Sequence, residues 1–300
     1  METFLQALPH GITLSCRATG ERGRPVLMFL HGFPEGAFIW DGVMKHFALP
    51  ENGAYRCVAP HLRGFERSSA PEDAKAYRAK YLLQDIAALI QTEGGSLACL
   101  VAHDWGGAVA WNLANQLPQL ARKLAIINSP HPGTFLRELQ TSAKQRAASA
   151  YMNFLIRPDA EDLLAQDDYR RLWEFFTAMG AADGPHAWLS DALKQQYREL
   201  WSHGLRGGCN YYRASPLRPA RADDPAAAGV ELPQAMLSVA LQTLVIWGLN
   251  DIALPSELVH GLQAYVPRLR LQTVADASHW IVHEQPDLVM RLLGEFLSAD

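Results

Sequence analysis

Long apolar runs are missing from this sequence: nothing approaches the roughly 18 consecutive apolar residues that a membrane-spanning helix needs. Charge is modest, with 19% charged residues and a formal net charge of −4, so no basic surface invites nucleic acid or anionic lipid. Cysteine is scarce. Cys16, Cys57, Cys99 and Cys209 are scattered and form no Cys-x-x-Cys pair, so zinc modules of that spacing are excluded and neither metal nor cofactor is expected. Cys57 and Cys99 sit inside apolar runs, where free buried thiols are the simplest reading, and a reduced, cytoplasmic setting is expected. Met1–Gly20 has no basic stretch followed by a long apolar run, so no secretory leader is expected. What is present is an ordinary globular balance, 49% hydrophobic over 300 residues. A chain of that length buries about three quarters of its unfolded surface.

Residues 3–8 and 12–18 alternate apolar and polar around Pro9-His10-Gly11, which predicts an antiparallel hairpin. Short, largely apolar runs follow at 26–30, 55–59, 97–102 and 124–127, with helical periodicity at 38–48, 80–92 and 106–117. Strands alternating with helices imply parallel β-α-β units, and strands apolar throughout imply a sheet covered on both faces. From 130 to 230 the rhythm breaks into mostly helical patterning. It resumes with a strand at 241–247, a helix at 255–265, a strand at 269–274 and a helix at 280–298. The expected architecture is one doubly wound α/β domain with a helical insertion. Ligands of such sheets bind beyond the carboxyl ends of the strands.

Three strand ends carry reactive groups in a telling order. The run 97–102 leads into His103-Asp104-Trp105-Gly106-Gly107, with small residues, Ala102 and Gly106, two positions either side of Asp104. That is the pattern of a sharp strand-turn-helix elbow, with aspartate where serine is more familiar. A helix N-terminus there favours the anion, although an aspartate can also serve as a plain N-cap. Asp251 follows the strand 241–247 in Gly248-Leu249-Asn250-Asp251, where an Asn-Asp turn is the competing reading. His279, in Ser278-His279-Trp280, follows the last strand; His283 is the weaker alternative. Nucleophile, acid and histidine thus come in the chain order usual for this topology. After the strand 26–30, His31-Gly32-Phe33-Pro34 can aim the Phe33 N–H at the elbow, giving with the Trp105 N–H a two-donor oxyanion hole.

On these motifs, the chain resembles the α/β-hydrolase superfamily over essentially its whole length, and within it the epoxide hydrolases. The resemblance implies a core domain at 1–129 and 231–300 and a helical cap, or lid, at 130–230. It also implies two cap tyrosines that protonate the ring oxygen: Tyr212 in Asn210-Tyr211-Tyr212-Arg213, and Tyr151, seven residues before Pro158. Asp104 would then form an alkyl ester, and His279, oriented by Asp251, would activate the water that releases a diol. Substrate contacts are expected from His31, Pro34 and Trp105. The substrate is expected to be a small apolar epoxide, with no nucleic acid or membrane partner and with self-association left open. One loop departs from the family pattern, His61-Leu-Arg-Gly-Phe-Glu66, with His where Asp is frequent. The nearest rival is a haloalkane or haloacid dehalogenase using the same aspartate, for which Trp105 and the tryptophans Trp173, Trp188 or Trp201 would have to cradle halide. A serine esterase lacks its Gly-x-Ser-x-Gly elbow, and a binder without catalysis would not need this set of residues.

Overall fold

The computed structural model describes residues 1–221 and 224–299, and among them eight strands form one sheet in the order β1-β2-β4-β3-β5-β6-β7-β8. The strands are β1 (Glu2–Ala7), β2 (Thr13–Thr19), β3 (Val26–Leu30), β4 (Arg56–Pro60), β5 (Cys99–His103), β6 (Lys123–Ile127), β7 (Gln242–Gly248) and β8 (Leu269–Val274). β1 and β2 form the expected hairpin, β2 lies antiparallel to β4, and the remaining neighbours are parallel. Early helices are α1 (Asp41–Ala48), α2 (Ala79–Thr92) and α3 (Trp105–Gln116). Among the described residues, the segment between β6 and β7 supplies α4 (Pro132–Thr141), α5 (Ala143–Ala148), α6 (Tyr151–Leu155), α7 (Ala160–Thr177), α8 (Asp191–Ser202) and α9 (Arg206–Ala214). No helix among the described residues is long and apolar enough to cross a membrane.

The wholly apolar strands are explained by two cores, one on each face of the sheet. Leu27, Phe29, Cys99, Val101, Ala125, Ile127, Leu244 and Ile246 pack with Val43, Met44 and Phe47 of α1. The alternate residues Met28, Leu30, Leu100, Ala102, Leu124, Ile126, Val245 and Trp247 face α2, α3 and the inserted helices. Each residue in such a strand meets a covered face, so periodicity of two disappears from the sequence. All four cysteines are buried and free.

Two expected helices differ from what is observed. Residues 255–265 form two short 3₁₀ turns, Ser256–Val259 and Leu262–Ala264. Gly261 between them has φ of 74°, a left-handed conformation that ends a helix. The stretch 280–298 is split into α10 (Ile281–Glu284) and α11 (Pro286–Ser298). Pro286 lacks the N–H that would continue α10 and starts a new helix at its first position instead.

The chain runs from β3 outward to β4 and then back across to β5, making a topological switch between neighbouring strands. Leu30 pairs with Ala102 in that register, so residues following β3 and β5 emerge side by side at the carboxyl edge, where clefts form in open sheets.

Candidate active site

Asp104 occupies the bend between β5 and α3 with φ of 49° and ψ of −123°, a strained backbone for a residue with a Cβ. The close packing around it needs glycine. A Cβ on Gly106 would lie 2.6 Å from the carbonyl oxygens of Leu30 and His31, and one on Gly32 would lie 2.1 Å from Asp104 Oδ1. With no such atom at residue 32, the Phe33 N–H reaches Asp104 Oδ1 and donates to it at 2.8 Å. The Phe33–Pro34 peptide is cis. Ser129, just past β6, donates from Oγ to the Asp104 carbonyl at 2.6 Å and fixes the bend from below. Trp105 is the first residue of α3, so its N–H has no intrahelical acceptor.

His279 and Asp251 converge on this carboxylate. His279 Nε2 lies 3.7 Å from Asp104 Oδ2, and His279 Nδ1 lies 2.7 Å from Asp251 Oδ2. Asp251 is buried and tied down: Oδ1 accepts from the N–H groups of Ala253 at 2.9 Å and Leu254 at 2.8 Å. Its Oδ2 also accepts from Asn128 Nδ2 at 2.8 Å. An acid held this firmly fixes the imidazole tautomer, so Nδ1 carries the proton shared with Asp251 and Nε2 faces Asp104. Burial opposes charge on His279, but the Asp251 carboxylate and its hydrogen bond, with Asp104 and Glu35 adding, push its pKa up to about 9. Asp104→Asn removes one of those negative charges while leaving the Asp251 pair. The His279 pKa is therefore expected to fall below about 9 in that variant, as read by NMR titration of the imidazole. An unmoved value would mean that Asp104 is not felt at the ring.

Asp104 opens into a cavity of about 260 Å³ whose wall includes Trp105, Tyr151, Met152, Tyr212 and Leu254. Tyr151 rides on α6 and Tyr212 on α9. Their rings meet edge to face at 6.0 Å. Burial first, and the charge of Asp104 with it, raises the pKa of both phenols above the usual tyrosine range. Both therefore stay protonated. Trp105 packs edge to face on Tyr212, with ring centroids 5.0 Å apart.

His31 and Pro34, expected to touch substrate, do not line this cavity. The His31 ring is wholly buried behind the Phe33 loop, with Nδ1 against the Gly32 carbonyl at 2.9 Å and Nε2 accepting from Leu62 N–H at 3.0 Å. The Pro34 carbonyl accepts from the Trp201 indole at 2.7 Å. The two residues shape the loop rather than the wall, because the chain turns back under Phe33. Nor do the three tryptophans weighed as halide donors face Asp104. Trp173 donates to the Asp168 carbonyl at 2.7 Å, Trp201 to Pro34, and Trp188 stacks on His283 at 4.0 Å.

Three residues given no role from sequence support the site from behind. Asn128 bridges the ends of β6 and β7, with Oδ1 accepting from Gly248 N–H at 2.9 Å while Nδ2 holds Asp251. Glu35, fully buried, accepts from Tyr197 Oη at 2.7 Å and pairs with His283 Nε2 at 2.7 Å. That contact takes His283 away from Asp104 and leaves His279 as the imidazole that reaches it. Glu35 also approaches His103 Nδ1 at 3.3 Å, and His103 Nε2 lies 2.9 Å from the His279 carbonyl. Burial opposes the Glu35 charge, but His283 and His103 override it and hold the carboxyl well below its ordinary range. Proximity to a strand end was the available signal for Asn128. For the Glu35–His103 contact nothing in spacing announced it.

The sequence pattern defining the family described as alpha/beta hydrolase fold matches residues 25–286. The AB hydrolase superfamily protein YfhM of Bacillus subtilis (strain 168) is 34% identical over 96% of this chain and 95% of its own length. Human epoxide hydrolase 4 is 31% identical over 99% of this chain and 79% of its own length. Among solved structures, the Bacillus megaterium epoxide hydrolase in complex with an inhibitor superposes with a TM-score of 0.88 at 28% identity, covering 99% of this chain and 100% of that one. An epoxide hydrolase from metagenomes of hot environments superposes with a TM-score of 0.86 at 36% identity, covering 100% of this chain and 99% of that one.

Proposed function

The chain belongs to the alpha/beta hydrolase fold family, and from that premise we propose that it hydrolyses an epoxide to a vicinal diol through a covalent ester on Asp104. The observation that carries the reading is the pair of protonated phenols, Tyr151 and Tyr212, sharing one cavity with the carboxylate. A hydrolase acting on esters already has a tolerable leaving group. An epoxide does not, because its oxygen departs as an alkoxide, and a buried proton donor opposite the nucleophile answers that need.

In the first step, Asp104 Oδ2 attacks one ring carbon in line with the breaking C–O bond. Oδ1 stays against the Phe33 N–H and becomes the ester carbonyl oxygen. The departing oxygen takes a proton from Tyr151 or Tyr212. In the second step, His279 Nε2 removes a proton from water, and the oxygen of that water bonds to the carboxyl carbon of Asp104. Negative charge collects on Oδ1, where the N–H groups of Phe33 and Trp105 form the oxyanion hole. Collapse breaks the bond between that carbon and the substrate oxygen. The diol takes the proton held on His279; the second proton of the water, left on the Asp104 carboxyl group, leaves to solvent as the phenolate regains one from it, restoring the carboxylate and the phenol. Ester formation also removes the charge of Asp104, one of the causes that keep His279 protonated in the free protein. Once that charge is gone, Nε2 releases its proton to solvent more readily and is then free to take one from water in the second step.

The helical insertion at 130–230 acts in this reading as a cap that carries the acids, over a core made of 1–129 and 231–300. An activity screen of epoxides beside halogenated alkanes and fluoroacetate tests it, scored by diol and halide release. Diol is expected from epoxides. Tyr212→Phe should lower kcat by about 100-fold or more, the usual worth of a positioned acid. Halide release without diol, or a Tyr212→Phe protein that opens epoxides at full rate, would overturn the assignment.

A further inference from the structure

The cavity holding Asp104 is lopsided. Behind the nucleophile, Phe33 packs edge to face on Tyr212 at 5.6 Å and on Phe175 at 6.5 Å, and Phe175 meets Tyr151 at 5.9 Å. Neither phenylalanine lines the cavity. A Cβ at Gly208 of α9 would lie 2.5 Å from the Phe33 ring, so α9 sits directly on that ring and leaves no second arm. In the other direction the cavity follows α3. Asp104, Ala108 and Asn112 all line it, one turn apart on one helix face. Eight residues of helix carry the groove about 12 Å from the nucleophile. Leu82, Val109 and Leu217 continue the apolar wall, and the mouth opens beside Pro216 and Met236, the latter 46% exposed. Asp104 is the one Asp, Glu, Lys, Arg or His on this wall among the described residues.

Resting on the epoxide reading, we propose that the substrate is an uncharged terminal epoxide bearing a single unbranched apolar arm, laid along α3 with Ala108 beneath it and Asn112 near its outer end. An epoxide substituted on both carbons needs room on both sides of the nucleophile, and the aromatic wall fills one of them. A charged arm would lose its hydration with no partner to replace it. The run of about 12 Å along α3, within a cavity of about 260 Å³, sets the arm at roughly six carbons beyond the ring.

The test is kcat/KM over the terminal epoxides of propene, butene, hexene, octene, decene and dodecene, beside trans-stilbene oxide, each scored as diol formed. Each methylene up to octene should add about fourfold, the transfer worth of one buried methylene. The gain should then level off, because further carbons pass Met236 into water. Stilbene oxide should lie at least ~100-fold below octene oxide, since its second ring would have to displace the wall that separates hydrophobic core from cavity. In Ala108→Phe, the ratio of kcat/KM for octene oxide to that for propene oxide should fall by ~10-fold or more, as the ring narrows the groove by several methylene volumes. A flat length series, or a preference for the disubstituted epoxide, overturns the one-armed assignment and leaves epoxide hydrolysis standing. No diol from any epoxide overturns the underlying reading and this inference together.

Discussion

His279→Gln is expected to convert the protein into a trap for its own substrate. Intact-protein mass should rise by one substrate mass per chain after an epoxide is added, and steady-state diol release should fall by about 100- to 10,000-fold. The two halves of the reaction use different groups, and for that reason the variant separates them. In the proposed reaction, ring opening uses Asp104 and the phenols of Tyr151 and Tyr212. Ester cleavage needs a base within reach of the Asp104 carboxyl group, and His279 Nε2 is 3.7 Å from Oδ2 of that group. Glutamine keeps a polar side chain near Asp251 but takes no proton from water at neutral pH. Peptide mapping should find the added mass on the segment containing Asp104. Steady turnover with no adduct at any time would remove the covalent step.

Asp104→Ala is expected to show the largest loss of all, on the order of a million-fold in kcat, the scale reached when the nucleophile of a covalent mechanism is deleted. The phenols and His279 remain, but no atom is left to accept the ring carbon. The companion measurement uses the intact protein in water enriched in heavy oxygen, limited to one turnover. The diol should carry no label and the Asp104 peptide should carry one heavy atom, since the oxygen delivered to carbon comes from the carboxylate. Label found in the diol after that first turnover would mean direct attack by water.

How far the sequence reached depended on whether a feature is local. Asp104, Asp251 and His279 each follow an apolar run within a few residues, and an open parallel sheet gathers the loops beyond its strand ends at one edge. Their meeting could therefore be read from order alone. The sheet itself was legible because strands 26–30 and 97–102 are apolar at every position, which only a doubly covered sheet allows. Asn128 also lies just past a strand, yet its bond to Asp251 depends on β6 and β7 being neighbours, a pairing across more than a hundred residues of insertion. The contact of Glu35 with His103 likewise requires β3 beside β5. Substrate contacts were expected from His31 and Pro34, yet neither lines the cavity, because the backbone of that loop folds under Phe33. The expected helix at 255–265 failed on one glycine, Gly261, whose left-handed backbone no apolar periodicity reports.

Asp104, the proposed nucleophile, sits in the bend just past β5, whereas both phenols stand on helices inserted between β6 and β7. In the proposed reaction the groups that open the ring are thus divided between two layers, while those that cleave the ester all belong to the sheet's carboxyl edge. Under that proposal, a shift of α6 and α9 acts on ring opening alone, and the groups that return Asp104 to its free state lie outside the inserted helices.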